Sequence, residues 1–477
     1  MEIKNYPLIV IGAGASGLVI AKGYAKAHKK VLMIERGTYG GDCTNFGCIP
    51  SKSLIASAKT AFDIKNAKKM GITLKDDSFN TDEVLSRVQK IVSSVRKNED
   101  KKALSDFGVE TITGDAQFVD RNTLKVTLKE SNEEILVKGK KIVIAAGSAP
   151  FIPPLNGIEE TPYLTNETVF SLEKIPSSMI IVGGGPIGCE LAQAFNRLGT
   201  NVVIVHKNAQ LLNKEDKKAA ELIKTVFEKE GIEIYNDFQI DRISYSNNTF
   251  EIEIDNSEVH KKLQAETVLI SSGRTANIAS LHLENADIEV TQKKIVIDSY
   301  CRTSQKHIFA IGDIAGPPFF THLAESQART VLANLLLPFF LRKKSKQKRL
   351  IPRVTYTDPE IASIGYLKDA AIKKYSEKKL AIYELAYSEI DRAVCQGETV
   401  GFIQIITKKW SSKIIGVTIA GSRAGEILGE LILAINEDIA LRKLSNIIHP
   451  YPTFSLGLRQ IADLWLKQTI IPKFFKK

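Results

Sequence analysis

Leu8-Ile9-Val10-Ile11-Gly12-Ala13-Gly14-Ala15-Ser16-Gly17 is the stretch that decides how this chain is read. Four apolar residues read as a short buried strand, and the glycines as a tight turn into a helix running from Leu18 towards His28. A second apolar run, Val31 to Ile34, ends at Glu35. Adding 171 to each number, which carries Gly12 to Gly183, brings the pattern back. Met179 to Val182 is apolar, Gly183-Gly184-Gly185-Pro186-Ile187-Gly188 is the turn, Glu190 to Leu198 is helical, and Val202 to Val205 is the next strand. His206 takes the place of Glu35 and is followed by Lys207. A single GxGxxG is a weak signal; two in strand–turn–helix context with equal spacing are a strong one.

The turn chemistry is the same in both copies. Gly12 and Gly183 permit the tight turn, Gly14 and Gly185 let the backbone approach a pyrophosphate, and Gly17 and Gly188 let helix and strand pack closely. The helix N-terminus then offers free N–H groups and a positive dipole end to phosphate. Glu35 can accept hydrogen bonds from both ribose hydroxyls of an adenosine, and its charge repels a 2′-phosphate. His206 and Lys207 would tolerate or attract that phosphate. The first site therefore reads as FAD, the second as NADPH, with NADH less favoured. Lys141 to Ala146 is a further apolar strand ending at Gly147, and Thr267 to Ser272 is its counterpart ending at Gly273. From Gly12 to Gly147 is 135 residues and from Gly183 to Gly273 is 90, so the first unit carries 45 more.

That excess holds Gly40-Gly41-Asp42-Cys43-Thr44-Asn45-Phe46-Gly47-Cys48-Ile49-Pro50-Ser51-Lys52. Pro50 just after the second cysteine points to a helix beginning near Cys48. A helix start can hold both cysteines close enough to bond and lowers the pKa of a thiol there. A disulfide beside a flavin can take two electrons and pass them on by thiol exchange. Cys189, Cys301 and Cys395 lack such a context and read as small buried residues. No metal-ligating set is expected.

This segment resembles the redox-active motif of the class I pyridine nucleotide-disulfide oxidoreductases, which include dihydrolipoyl dehydrogenase, glutathione reductase and mercuric reductase. The resemblance extends over almost the whole chain. His307-Ile308-Phe309-Ala310-Ile311-Gly312-Asp313 looks like the family's second flavin motif, which implies that Asp313 binds the ribityl chain. Thr321-His322-Leu323-Ala324 looks like the segment beside the flavin ring, and Arg353 to Glu360 like the start of a dimerisation domain. Within that domain Val400 to Ile406 and Ile414 to Ala420 read as strands, and Gly425 to Asn436 as an amphipathic helix. By resemblance Cys48 is the flavin-side thiol, Cys43 the thiol that meets substrate, and Lys52 and Glu190 the ion pair near the flavin nitrogen that receives hydride. Such a pair would stabilise negative charge appearing on the reduced ring. The expected fold is α/β, with two Rossmann-like dinucleotide-binding domains and a C-terminal α+β dimerisation domain. Residues 1–150 and 278–350 are assigned to the FAD-binding domain, 151–277 to the NAD(P)-binding domain and 351–477 to dimerisation in a homodimer.

One departure from the family is informative. Dihydrolipoyl dehydrogenase and glutathione reductase have a histidine immediately before Pro-Thr and a glutamate five positions later, a dyad that moves protons to and from the dithiol. Here Tyr451 precedes Pro452-Thr453, and Leu456 stands five further on. A phenol of pKa about 10 is a poor base at neutral pH. His449 lies two positions before, with Pro450 between. Tyrosine in this place looks like the mercuric-reductase-like branch. Mercuric reductase itself carries a cysteine pair near its C-terminus, whereas no cysteine follows Cys395 here. The electron acceptor therefore reads as a disulfide, a metal ion or a quinone-like compound, with Tyr451 beside it; a dihydrolipoyl dehydrogenase and a mercuric reductase in the strict sense stand as the alternatives.

Composition agrees with an ordinary folded enzyme. The chain has 477 residues, 44% hydrophobic and 25% charged, which excludes a disordered or collagen-like polymer. No run approaches the roughly 18 apolar residues of a membrane span. Five cysteines make no structural disulfide framework, the start reads as no signal peptide, and a cytoplasmic location is expected. Net charge is +11. Arg342, Lys343, Lys344, Lys346, Lys348 and Arg349 form one basic cluster, and Lys473, Lys476 and Lys477 flank Phe474 and Phe475 in the tail. Two readings stand for these runs: a solvated loop and tail, or weak contact with an anionic membrane surface. No recognition motif accompanies the charge, so nucleic acid is not expected as a partner.

Overall fold

Leu8–Ile11 lies at the middle of a parallel sheet, and its residues are at most 5% exposed. Strands covered on both faces read as unbroken apolar runs, which is how this one is written. It pairs with Val31–Glu35 on one side and Ile142–Ile144 on the other. Glu110–Phe118 extends the sheet beyond Val31–Glu35, and Ile308–Ala310 closes it beside Ile142–Ile144, both in parallel. An antiparallel extension, Thr123–Leu128 and Glu134–Gly139, continues from Glu110–Phe118. The computed structural model describes residues 3–76, 78–345 and 350–474. Lys346, Lys348 and Arg349 of the basic cluster, and Phe475, Lys476 and Lys477 of the tail, lie outside the described residues.

The second copy repeats the register of the first. Ile11 pairs with Ile34 and the Gly12 N–H donates to the Ile34 carbonyl; Val182 pairs with Val205 and the Gly183 N–H donates to the Val205 carbonyl. The second sheet runs Glu233–Asn236, Asn201–His206, Ser178–Val182, Thr267–Ile270, all parallel. A three-stranded antiparallel sheet from Gln239–Ser246 to His260–Ala265 packs beside it through Phe250, Ile252 and Ile254. The chain passes between the two units twice. Those crossings pair as Ser148–Pro150 against Arg274–Ala276, directly after Gly147 and Gly273.

The C-terminal part is a five-stranded antiparallel sheet covered by helices Ala424–Asn436 and Leu456–Trp465. Strand Phe402–Lys408 begins two residues later than the sequence pattern indicates. Gly401 is left-handed, with φ +143°, and a Cβ there would stand 2.2 Å from the Ala420 carbonyl oxygen, so regular pairing starts after it. Residues 36–109 hold the extra material of the first unit. Its helix Cys48–Lys65 packs on both Val84–Arg96 and Pro186–Arg197, joining first and second units in one apolar cluster that includes Leu54, Cys189 and Phe195. Among the described residues no helix is long and apolar enough to cross a membrane.

A Cβ on Gly17 would stand 2.0 Å from the Gly12 carbonyl oxygen, and one on Gly188 2.0 Å from the Gly183 oxygen. Because the obstacle is backbone, relief requires opening the turn. Gly17→Ala is expected to lower the thermal midpoint and to reduce flavin absorbance per purified chain well below that of the unaltered protein. A variant with full flavin content would show that the turn tolerates the methyl group.

Candidate functional site

The redox segment is pressed against the first dinucleotide turn. Gly40 and Gly41 are both left-handed, and a Cβ on Gly41 would meet the Gly14 Cα at 2.5 Å. Cys43 sits in the short helix Gly41–Asn45, and Cys48 is the first residue of helix Cys48–Lys65. Their thiols share a hydrogen bond, and the Thr321 hydroxyl lies 3.7 Å from the Cys48 sulfur. That bond from Cys43 and the nearby Lys52 ammonium hold the Cys48 pKa down at about 6, against the opposing effect of burial. The same hydrogen bond, together with burial, pushes the Cys43 thiol up. At neutral pH the reduced pair therefore carries its charge on Cys48, at a helix N-terminus.

Lys52 stands one turn along the same helix, and its Nζ is 2.8 Å from Glu190 Oε2. The other oxygen, Oε1, accepts the Tyr356 N–H at 2.9 Å, and the Tyr356 ring lies 4.4 Å from the ammonium. Burial pulls the Lys52 pKa down, but Glu190 outweighs it and the net shift is upward. The ammonium thus stays charged beside the cysteine pair. Three distant stretches of sequence meet at this point.

Asp313 is placed at the far side of the same cleft. It accepts a hydrogen bond from the Ser148 hydroxyl at 2.5 Å, while Arg274 Nε lies 3.9 Å away. Burial raises the Asp313 pKa against both partners. Arg274 Nη2 is also 3.1 Å from Asp42, next to Cys43, and its Nε donates to Ser148 Oγ at 2.7 Å. Arg274 thereby ties the redox segment to the second flavin motif. Sequence reasoning assigned no role to Arg274, Ser148 or Asp42. The one available signal for Arg274 was a cation directly after a strand-ending glycine.

Glu35 and His206 perform one structural task in the two copies. Glu35 Oε2 accepts the Ala13 N–H at 2.6 Å and Oε1 the Gly37 N–H at 2.7 Å. His206 Nδ1 accepts the Gly184 N–H at 3.0 Å, and its Nε2 faces the Asn208 side-chain amide at 3.2 Å. The ring is buried, and that burial lowers its pKa. A neutral imidazole protonated at Nε2 accepts at Nδ1 and keeps an Nε2–H to donate, for which the Gln210 backbone is the partner. His206 accepts a turn N–H, and the exposed Lys207 carries the charge of this strand end. Leu212, also buried, fills the space behind it.

The cradles fit dinucleotides. A Cβ on Gly185 would meet nothing within 4 Å, and one on Gly14 only the Gly41 Cα at 3.8 Å, so space is left above the second glycine of each turn. In the first copy, Gly12, Glu35, Gly114, Ala146 and Asn277 line a cleft beside that space.

The C-terminal residues lie apart from this cleft in the single chain. Tyr451 is 71% exposed, and a hydrogen bond to Asp391 raises its pKa. Leu456 is buried at the start of helix Leu456–Trp465. His449 is turned into its own chain: Nδ1 donates to the Ile447 carbonyl at 3.1 Å, and Nε2 lies 3.2 Å from both Glu430 oxygens. Cys189 and Cys301 are buried as expected. Cys395 is exposed, because helix Asp391–Gln396 presents it beside Tyr451 instead of to the core.

Known proteins share this arrangement over its full length. Residues 6–328 match the family described as pyridine nucleotide-disulphide oxidoreductase, and residues 351–461 match its dimerisation domain. The chain belongs to this family. It is thus a flavoprotein disulfide oxidoreductase, in a family that typically uses FAD and NAD(P)H. It is 28% identical to the mercuric reductase of Lysinibacillus sphaericus, covering 97% of this chain and 84% of that one. It is 30% identical to the mercuric reductase of Shigella flexneri, covering 96% and 81%. Its structure is similar to that of the HOCl-induced flavoprotein disulfide reductase RclA from Escherichia coli, solved alone and as a Cu(II) complex. The Cu(II) complex superposes with a TM-score of 0.86 at 26% identity, covering 97% of this chain and 100% of that one.

Thiolate absorbance in the ultraviolet, taken as the difference between the reduced protein and Cys48→Ser, should titrate with a midpoint near pH 6, the thiolate forming above it. Lys52→Met should move that midpoint upward by removing the nearest positive charge. A midpoint at about 8.5, the value of an unperturbed cysteine, would refute the assignment of the charge to Cys48.

Proposed function

We propose that the chain is a homodimeric NADPH-dependent reductase of the mercuric-reductase-like branch. In this reading residues 1–150 and 278–350 hold FAD, residues 151–277 hold NADPH and residues 351–477 form the dimer contact. FAD, when bound, supplies two-electron transfer between the nicotinamide and the Cys43–Cys48 pair. The pair accepts two electrons and one proton as its disulfide opens, leaving Cys43 as the thiol and Cys48 as the thiolate, and returns them to an acceptor as the disulfide re-forms. For a disulfide acceptor the sum is NADPH, one proton and the disulfide giving NADP and two thiols.

The geometry of the site supports a role for each of the protein groups. Gly12, Gly14, Gly17 and Glu35 hold the first dinucleotide, with Gly147 and Asp313 at its ribityl side. Gly183, Gly185, Gly188, Lys207 and Gly273 hold the second, with His206 shaping its turn. Lys52, kept charged by Glu190, offers positive charge where electrons arrive. Cys48 bears the thiolate, and Cys43 stays protonated to meet the acceptor.

The observation that carries the acceptor class is the state of the C-terminal dyad. Tyr451 and Leu456 replace its members, and His449 is bound to Glu430 and Ile447 within its own chain. A dithiol substrate therefore lacks a poised base, which elsewhere contributes roughly 10²–10⁴-fold. An acceptor that needs no such base is favoured: a metal ion, a quinone-like compound or an already activated disulfide. The names of the relatives, mercuric reductases and a reductase with a Cu(II) complex, support the metal ion among these.

Two measurements test this reading. Steady-state turnover of the flavin-loaded enzyme against mercuric ion, Cu(II), quinones and disulfides should show at least one acceptor far above dihydrolipoamide oxidation. The latter should be slow at pH 7 and rise with pH as the substrate thiol ionises, and Tyr451→His should raise it. Brisk dihydrolipoamide oxidation near neutral pH, lost in His449→Ala, would establish a dihydrolipoyl dehydrogenase instead.

Nucleotide choice has its own test. NADPH should be used more efficiently than NADH, and Lys207→Ala should weaken NADPH alone by about ten- to a hundredfold, the value of one charged hydrogen bond. His206→Glu should keep the turn intact, since Glu35 accepts the equivalent N–H, and should shift preference towards NADH. Equal efficiency with both nucleotides in the unaltered enzyme would defeat the assignment.

A further inference from the structure

Helix Thr321–Leu336 ends in an outward-facing aromatic turn. Phe339 is 76% exposed, Phe340 71% and Leu341 50%. The two rings meet edge to face at 5.8 Å, so they cover each other only in part. Large side chains this exposed and this close together are uncommon on a surface that meets only water.

The turn is held in place from behind. Asn334, buried on the helix, donates to the Lys343 carbonyl at 2.9 Å and accepts the Lys343 N–H at 2.8 Å. Ser345 N–H donates to the Ser299 carbonyl at 2.8 Å, and the Lys344 ammonium lies 5.9 Å from the Tyr300 ring. These contacts occupy the inner side of the segment and leave the aromatic side outward.

Cations from three separate parts of the sequence gather at this edge. Arg342, Lys343 and Lys344 follow the aromatic turn, and all are exposed. Lys141, before strand Ile142–Ile144, lies close enough to Arg342, to Lys140 and to Lys29, after the first helix, for all three charges to act on it. Burial, and then Arg342, Lys140 and Lys29, pull the Lys141 ammonium down. Among the described residues no carboxylate lies within ion-pair distance of these six. Glu110 is paired with Lys30 instead, and Glu325, across a groove from Lys343 and Lys344, with Arg329.

We propose that this face, Phe339, Phe340 and Leu341 rimmed by Lys29, Lys140, Lys141, Arg342, Lys343 and Lys344, docks the enzyme on an anionic lipid bilayer. Aromatic and aliphatic tips enter the headgroup boundary, while the cations meet lipid phosphate and carboxylate groups. Each basic side chain near such a surface multiplies partition by roughly fivefold, so six act together as a strong, salt-sensitive attraction. The aromatic tips add a contribution that salt does not screen. A duplex nucleic acid would engage the cations alone and leave the exposed rings uncovered.

Sedimentation of the flavin-loaded enzyme with vesicles tests the proposal. The vesicles are phosphatidylcholine alone, or phosphatidylcholine with about one-third phosphatidylglycerol. Binding is expected only to the anionic vesicles, at low salt, with release at high salt. Phe339→Ser with Phe340→Ser, and separately Arg342→Glu with Lys344→Glu, should each weaken binding by about tenfold or more while NADPH-driven dye reduction is unchanged. Absence of binding to anionic vesicles, equal binding to both kinds, or undiminished binding by either double variant overturns the proposal. So does duplex DNA binding that the serine variant retains without vesicle binding, since the patch is then a general polyanion site. A change in assembly state of the lipid-free serine variant would mark the face as a contact between copies, and would equally overturn it.

Discussion

The ion pair between Lys52 and Glu190 is the contact on which the site depends. Its two members come from the helix of the cysteines and the helix of the second glycine turn, and they meet at 2.8 Å. Glu190 is 7% exposed at its side chain, so its charge needs partners; Lys52 provides one and the Tyr356 N–H another. A carboxylate left alone in such a place would cost several kcal/mol. The pair therefore does two things at once. It fixes the redox helix against the nucleotide-binding unit and the start of the C-terminal sheet, and it keeps a cation near Cys48.

Around that contact the two units keep one backbone plan while their strand-end side chains differ. Both use a strand-end side chain to accept the N–H of the second turn residue. One copy uses a carboxylate and the other an imidazole, each bonded at the equivalent atom. An anion at that position discourages a phosphate, and a neutral ring does not. Specificity can therefore diverge between the copies while the turn stays supported. The place of this histidine also explains why its pKa lies low: burial disfavours the charged ring, and the neighbouring Lys207 repels it.

The cysteine pair owes its asymmetry to position. Cys48 begins a helix, faces Lys52 one turn on and receives a hydrogen bond from Cys43; Cys43 has none of these advantages and gives up its share of the charge. The segment reaches this place because Gly40 and Gly41 allow it to lie against Gly14. Any side chain at Gly41 would push it off the turn. At the opposite end of the chain Tyr451 is exposed beside Asp391, and His449 faces Glu430.

Sequence alone determined the parts that depend on local backbone demands. The two glycine turns, their strands and helices, the helix start at Cys48 and the apolar runs of the C-terminal strands all follow from neighbours a few residues apart; strand ends shift by a residue or two, as at Gly401 and at Ile142–Ile144 and Thr267–Ile270, which are shorter than their apolar runs. The ion pair of Lys52 and Glu190 was legible through resemblance, not through spacing, since 138 residues separate them. Tertiary structure decided what distant residues do to one another. It put Arg274 between Asp42 and Asp313, made His206 the acceptor of a turn N–H, exposed Cys395 and brought Lys29, Lys140 and Arg342 near Lys141. A hydrogen bond or a repulsion acts over a few ångströms of space, and distance along the chain does not report it.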